Sequence, residues 1–528
     1  MDGKRKDSLV RLAEILVGIV FGILIAVFAG QVRESSQGKK AAYGNWRKLN
    51  LILTEVEKNY VDTVDVVAVT DAAVAAALEE LDPHSVYMPP VEKKESDSQL
   101  QGNFEGIGIQ FNVPNDTAIV MEVIAGGPSE KVGLLAGDRL LKVDDKVIAG
   151  VKFPQDSMVR RMKGPAGTKV TVTVKRGSDV IPFEIVRGRI PLHSVDASFM
   201  VNDTTGYLRV SKFALNTYTE VINALSGLRK QGMRRLVLDL RDNSGGFMQQ
   251  AVLLTNEFLH RGDTIVYLEG LHRPREDYRA DGRGSLSELP LVILINEGTA
   301  SASEILAGAI QDNDAGILVG RRSFGKGLVQ EPIDFTDGSG IRITVARYYT
   351  PSGRCIQKPY DDYGHDLYDR YRDGEIFSAD SAKINREDVH YTVSGRPVYG
   401  GGGIMPDVYV PMDTTRATGF FVACNRKTTQ MRFASAVFDR YAPRLREIDS
   451  FEAMDRFFTQ VNLKDQFLTF AREKDGLRCS EEDWKKTEPY LMPQLRALVA
   501  RYSKLGDNAF YKYYLPVDET VKVALQQP

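Results

Sequence analysis

Between Gly206 and Gly320 the chain alternates short apolar runs with stretches of helical period, and this alternation limits the fold more than any other feature. "GYLRVSKF", an amphipathic stretch from about Thr217 to Gln231, "RRLVLDLRDNSGG", "LPLVILINEGTA", the helical "SASEILAGAIQDN" and the strand "GILVG" succeed one another in order. A strand, a crossover helix and a second strand make a βαβ unit. Repeating that unit gives an α/β core, extended by the strand in "GIRITVARYYTPSG" and by "GGGIMPDVYV". The core is expected over residues 190–412. Residues 361–399, rich in Asp, Arg and Tyr, read as a surface insertion in it.

The flanking texture differs. Residues 43–100 carry apolar positions at helical spacing (Leu49, Ile52, Leu53, Val56), then a second helical run ended by Asp82-Pro83, because a residue before proline is pushed out of the helical region. They read as a helical N-terminal domain. Residues 101–189 turn to short strands and glycine turns, with Val170, Val172 and Val174 alternating with threonines. This stretch resembles a PDZ domain, with Gly106, Ile107, Gly108 and Ile109 in place of that family's carboxylate-binding loop. Consecutive amides in a tight glycine turn can hold a peptide's terminal carboxylate while the peptide adds a strand to the sheet edge. Gly-x-Gly alone would read equally well as a plain turn. From residue 413 to 528 amphipathic helices form a C-terminal domain.

At the N-terminus, Lys4, Arg5, Lys6 and Arg11 precede an unbroken apolar run from Ile15 to Gly30. Residues 1–30 read as a membrane anchor with its basic flank in the cytoplasm, or as a cleaved signal peptide, and residues 31–42 as a linker. Either reading sends the bulk of the protein into the cell envelope. The 68 Lys and Arg against 70 Asp and Glu leave a formal charge of -2, which gives no electrostatic footprint for nucleic acid. Three scattered cysteines and six scattered histidines form no metal-ligand pattern.

Two stretches carry chemistry. In "INEGTASASEILAGAI" a strand delivers a turn and a helix begins, so unsatisfied backbone N–H groups point outward at its start. A serine there can attack a carbonyl while those amides stabilise the oxyanion. Thr299, Ser301 or Ser303 could instead cap the helix, with Glu304 at the reciprocal position. In "GRRSFGKGLVQ", Lys326 sits one residue from a phosphate-binding signature, G-x-x-x-x-G-K-[ST]. Gly327 cannot bind Mg²⁺ as the Ser or Thr there would, and the residues after it read as a strand instead of a helix, which tells against nucleotide. Lys326 could serve as a base for a serine if neutral. Bringing its pKa from ~10.4 to near 7.5 costs on the order of 4 kcal/mol against the ammonium, which burial can supply. Gln330 could hold the amine without adding charge. In "DLRDNSGG", Asp239 and Arg241 read as a structural ion pair and the glycines as a tight turn or a source of oxyanion amides.

Residues 43–410 are identified, through "LDPHSVYM", "GYLRVSKF", "DLRDNSGGFM", "GTASASEILAGAIQDNDAGILVGRRSFGKGLVQ", "YYTPSGRCIQ" and "GIMPD", as similar to the carboxyl-terminal processing (tail-specific) serine peptidases. The resemblance implies a ClpP/crotonase-like α/β protease core with an inserted PDZ domain. Carried over by position, it implies Ser301 as nucleophile, Lys326 as base and Gln330 as the residue orienting it. The amide of Ala302 and one from Gly245 or Gly246 would form the oxyanion hole. Thr299 departs from the family's pattern in replacing the first serine of the run. No cofactor is implied. The partners implied are protein or peptide substrates with exposed C-termini, the membrane through the N-terminal helix, and a homo-oligomer through the helical ends. The expected function is that of an envelope serine endopeptidase acting through an acyl-enzyme. The alternative from another class is a catalytically silent PDZ scaffold that binds C-termini.

Overall fold

The computed structural model describes residues 47–114, 116–360, 363–378, 387–413 and 418–528. The expected anchor and the linker lie outside these residues. Among the described residues no helix is long and apolar enough to cross a membrane. The chain forms two compact units, Met1–Asp82 and Pro83–Pro528. The first contains helices 47–59 and Val66–Glu79, the latter capped by Asp65, whose carboxylate accepts from Ala68 N at 3.1 Å. Leu49 and Ile52 of the expected apolar stripe are exposed. The boundary at Pro83 corrects the reading of 43–100 as one helical domain. Past the helix-breaking proline the chain enters the strand Val86–Met88, which pairs with Gly340–Tyr349 of the second unit.

The second unit is built on a six-stranded sheet whose spatial order is that of the sequence. Its strands are β1 (Val195–Met200), β2 (Thr205–Val210), β3 (Arg235–Asp239), β4 (Leu291–Ile295), β5 (Ile317–Gly320) and β6 (Val408–Tyr409). β1 and β2 are antiparallel and every later pair is parallel. The crossovers carry α1 (Thr217–Lys230), α2 (Met248–Asn256) and α3 (Ala302–Asp312). Alternate side chains of a strand point to opposite faces. Ile293 and Ile295 pack against Val221, Leu254 and Leu306 of the helices. Val292 and Leu294 pack on the other face against Leu515, Val521 and Ala524. β4 is buried on both sides, as strands of parallel sheets are. The helix Glu519–Gln526 thus belongs to the core, and residues 413–528 are not wholly a separate domain.

A second sheet contains the antiparallel pair Leu328–Asp334 and Gly340–Tyr349, joined by Val86–Met88, Thr264–Gly270 and Arg273–Arg279. The PDZ strands run Ile109–Asn112, Ala118–Val123, Arg139–Val143, Lys169–Arg176 and Asp179–Val186 in that spatial order. The chain enters and leaves this domain through the antiparallel pair Asn103–Gly106 and Gly188–Pro191, which holds the two ends of the insertion side by side. The helices of the C-terminal region form a further core around Phe433, Phe467, Trp484 and Leu491, into which Met121 of the PDZ domain packs. Arg139 of the PDZ domain pairs with Asp439 through two hydrogen bonds, and Arg446 donates to Ala136 O at 2.6 Å.

Most described residues of 361–399 are exposed or half-buried, but the stretch also reaches into the fold. The helix Asp366–Arg372 and the turn after it bury Arg370, Glu375 and Ile376 against the core. Charged and polar composition suggested surface, but these charges are partnered inside the fold.

Candidate active site

Ligands of open α/β sheets gather outside the carboxyl ends of the strands. Here three adjacent parallel strands end together: Asp239 pairs in register with Leu294, and Ile295 with Gly320. The loops that leave β3, β4 and β5 carry Gly245-Gly246, Ser301 and Lys326 respectively. The 25 residues separating Ser301 from Lys326 therefore make one helix and one strand that return the chain to the same end.

Ser301 stands immediately before α3 with φ 56° and ψ −117°, a backbone state costly for a side chain with a Cβ. Three of the neighbouring groups hold it there. Thr299 Oγ1 donates to Leu240 O (2.9 Å) and accepts from Asn296 N (3.0 Å), while Ser303 Oγ donates to Asn243 O (3.0 Å). Ala300 N also donates to Asn243 O at 2.9 Å. Thr299 and Ser303 are fully buried structural hydroxyls, whereas Ser301 is half-buried and lines a cleft. Ala302 is the first helical residue, where the amide has no partner within the helix. Gly245 (φ +99°) faces it: a methyl there would lie 2.7 Å from Ser301 Cβ and 2.9 Å from Ala302 N. Gly245 N donates to Asn243 Oδ1 at 2.9 Å.

The loop from Arg321 to Gly327 has no regular structure, yet its backbone is tied group by group. Buried peptide groups must find partners. Arg321 N donates to Ile295 O, Ser323 N to Ile404 O and Phe324 N to Thr299 O, at 2.9–3.1 Å. Gly325 N (2.8 Å) and Lys326 N (2.9 Å) donate to the two carboxylate oxygens of Glu304, and Gly327 N to Gln357 Oε1 (2.9 Å). The fully buried Glu304 also accepts from Ser301 N at 2.8 Å and from Ser323 Oγ at 2.5 Å. Burial pushes its carboxyl up, against the pull of these four donors. One side chain thus joins the start of α3 to the lysine loop. The capping role foreseen for Glu304 is real but is only one of its four contacts.

Lys326 Nζ donates to Gln330 Oε1 at 2.9 Å. Gln330 sits at a bulge in the strand Leu328–Asp334, where the register shifts after Val329. Such a bulge re-aims a side chain. Its amide nitrogen donates to His84 O, so the "LDPHS" block orients the glutamine. The Tyr348 hydroxyl meets both Lys326 O and Ser301 O, the latter at 3.0 Å, and spans the two loops. Burial, then the charge of Glu304, raises this phenol well above its ordinary value, so it stays a donor at neutrality. Ser301, Ala302, Lys326, Gln330, Gly245 and Gly246 all line one cleft of about 710 Å³. Asp239 and Arg241 lie beneath it as a structural pair with Asp518, Arg209 and Tyr207. Burial works to raise the Asp239 carboxyl, but Arg241 and Arg209 overcome it and hold it well below the usual range.

Gly106, Ile107, Gly108 and Ile109 stand apart from that cleft. Gly108 has φ +79°, and Ile109 opens an edge strand of the PDZ sheet. Ile107 O accepts from Ser129 N (3.0 Å) and Gly108 O from Ile124 N (3.1 Å). In a trans peptide the N–H points opposite to the C=O, so the amides of Gly108 and Ile109 face away from those partners. Sequence reasoning missed Tyr348, the His84 carbonyl and the wider role of Glu304. The "YYTPSG" and "LDPHS" blocks were the available signals for the first two.

The model of peptidase family S41 matches residues 204–362 of this chain, and that of the PDZ domain matches residues 106–186. The chain is 35% identical over 350 residues to a carboxy-terminal-processing protease of Bartonella bacilliformis, covering 65% of this chain and 79% of that protein. It is 33% identical to the carboxy-terminal processing protease CtpA of Bacillus subtilis, covering 61% and 69%. Among solved structures, the photosystem II D1 C-terminal processing protease is 28% identical with a TM-score of 0.36, covering 69% of this chain and 88% of that one.

Proposed function

The chain belongs to peptidase family S41, with the carboxy-terminal processing proteases, and from that premise we propose that it is an envelope endopeptidase using a Ser301/Lys326 dyad. The observation that carries this reading is the single cleft holding both residues, with Lys326 Nζ on the neutral carboxamide of Gln330. A carboxylate at that position would favour the ammonium by its charge; a carboxamide holds the amine without adding that charge. In the reaction, Lys326 as neutral amine takes the proton of Ser301 Oγ as the oxygen bonds to the scissile carbonyl carbon. The resulting oxyanion is held by the amides of Ala302 and Gly246, since Gly245 N is already engaged by Asn243. The tetrahedral intermediate collapses, the C–N bond breaks, and the Lys326 ammonium gives its proton to the leaving amine. Water, deprotonated by Lys326, then bonds to the acyl carbon, and as the Ser301 Oγ–C bond breaks the Lys326 ammonium returns its proton to Oγ.

The PDZ domain delivers the substrate. A C-terminal tail adds a strand to Ile109–Asn112, and its carboxylate sits on the outward amides of Gly108 and Ile109. The apolar run from Ile15 to Gly30 behind a basic flank supports an anchor that keeps the catalytic part in the periplasm, and the exposed apolar side chains of the N-terminal helices support a homo-oligomer. Ser301→Ala and Lys326→Ala are expected to abolish cleavage of an unfolded reporter with an apolar tail while leaving tail binding intact. Cleavage at the wild-type rate in either variant contradicts the dyad. Tail binding without any cleavage by the wild-type protein would support the scaffold alternative.

A further inference from the structure

We propose that Arg370, in the helix Asp366–Arg372, is a positioning residue for Lys326. The amides of Gly325 and Lys326 in the lysine loop are held by Glu304, while three of the loop's carbonyls face the helix Asp366–Arg372. Arg370 Nη1 donates to Ser323 O (2.8 Å) and Arg322 O (3.3 Å), and Nη2 donates to Phe324 O (3.2 Å). One guanidinium therefore spans three successive carbonyls just ahead of Lys326. The Arg370 side chain is 4% exposed, and a charge so deeply buried persists only where it is partnered.

The partners form a closed set. Arg370 Nε lies 3.0 Å from Asp366, which also pairs with Lys358 Nζ at 3.0 Å. Arg322 makes two bonds to Glu375, at 2.6 and 2.7 Å, and donates to Gly402 O at 2.5 Å. The Lys358 ammonium stands over the rings of Phe324 and Tyr363, and Lys358 N donates to Gly325 O at 3.0 Å. Three cations thus face two carboxylates, and the oriented carbonyls of the loop supply the remaining negative potential. With Tyr348 on Lys326 O, every carbonyl from Arg322 to Lys326 is held, and the backbone from which the lysine side chain starts has no slack. Misplacement by about 1 Å can cost on the order of 100-fold in rate. The planar fork spreads pre-organised donors over these three carbonyls, whereas an ammonium gathers its donors on one atom at the end of a flexible stem and holds them less rigidly.

This inference rests on Lys326 acting as the base, so Lys326→Ala is assayed beside the Arg370 variants in the full chain. In Arg370→Lys, kcat for reporter cleavage should fall about 10- to 100-fold with KM within about twofold, and the pH–rate profile should shift, while the thermal midpoint, lowered by the weaker carbonyl contacts, stays above the assay temperature and tail binding is kept. Arg370→Met should show the larger loss; if it fails to fold, Arg370→Lys alone decides. A kcat within twofold of wild type in Arg370→Lys overturns the proposal, as does a loss of kcat that only parallels a fall in thermal midpoint and in tail binding. Activity surviving in Lys326→Ala defeats the dyad itself. An inactive Lys326→Ala beside a fully active Arg370→Lys defeats this inference alone.

Discussion

Two glycine-punctuated turns in this molecule look alike as sequence and are opposites in structure. In the turn Gly106–Ile109 the carbonyls of Ile107 and Gly108 are bonded to the domain and the amides face outward. In the loop Arg321–Gly327 the amides of Gly325 and Lys326 are bonded to Glu304 and that of Gly327 to Gln357. The first turn leaves amides facing outward; the second hides its backbone and leaves the Lys326 side chain in the cleft. A phosphate-binding loop needs amides free to cradle oxygens. With two of those amides occupied by the buried Glu304 and the third by Gln357, none of the three is free to cradle phosphate. What decides between binding and positioning is where the amides go, and the glycines alone do not say.

The strongest way to break this contrast is to remove the acceptor. Glu304→Ala leaves buried amides of Ser301, Gly325 and Lys326 unpaired and should cost about 3 kcal/mol or more of stability, together with activity. Urea unfolding and reporter cleavage would measure both; a stability within about 1 kcal/mol of wild type, a threshold set by the scale of one hydrogen bond, would show that the amides find other partners. Gly325→Ala is the next in size. Gly325 has φ +89° and a methyl there would sit 3.0 Å from Gly403 N, so a cost of about 1–2 kcal/mol and a clear fall in kcat are expected. An active, equally stable variant would mean that the loop tolerates movement. Gly108→Val should act on the other turn alone. It should weaken binding of a C-terminal peptide by about tenfold, or about 1.4 kcal/mol, while cleavage of a short tail-independent peptide stays unchanged. Loss of both would mean that the two turns are not separable. The smallest effect expected is none: millimolar ATP with Mg²⁺ should leave the thermal midpoint in place, whereas a bound nucleotide would raise it by mass action.

How far the sequence alone reaches varies with the physics involved. Strand–helix alternation exposes β3, α3 and β5, because burial of one helix stripe and of whole parallel strands writes a period into the apolar residues. That Ser301, Lys326 and Gln330 reach one cleft is legible because one helix plus one strand fixes the return path. Arg370 is not legible. "DLYDRYRDGEIF" has the composition of a surface, and nothing in a local pattern says that an arginine's fork will meet three carbonyls 46 to 48 residues upstream. The helix Glu519–Gln526 reads as amphipathic, but the face of the sheet it covers lies more than 200 residues away in sequence. Glu304 shows how a correct local reading can be incomplete. Its spacing from Ser301 predicts a cap, and only the folded chain adds Ser323, Gly325 and Lys326 to the same carboxylate.

The most direct test of the account is the rate at which Ser301 becomes acylated. Intact-mass measurement after mixing with a serine-directed fluorophosphonate or an activated ester should show one adduct per chain, mapped to the peptide containing Ser301. It should form on an ascending pH limb in the wild type, at least about 100-fold more slowly in Lys326→Ala, within the range typical of general base catalysis, and not at all in Ser301→Ala. Adduct formation in Lys326→Ala at the wild-type rate, or an adduct on any other residue, would contradict the claim that this loop exists to hold a base beside that hydroxyl.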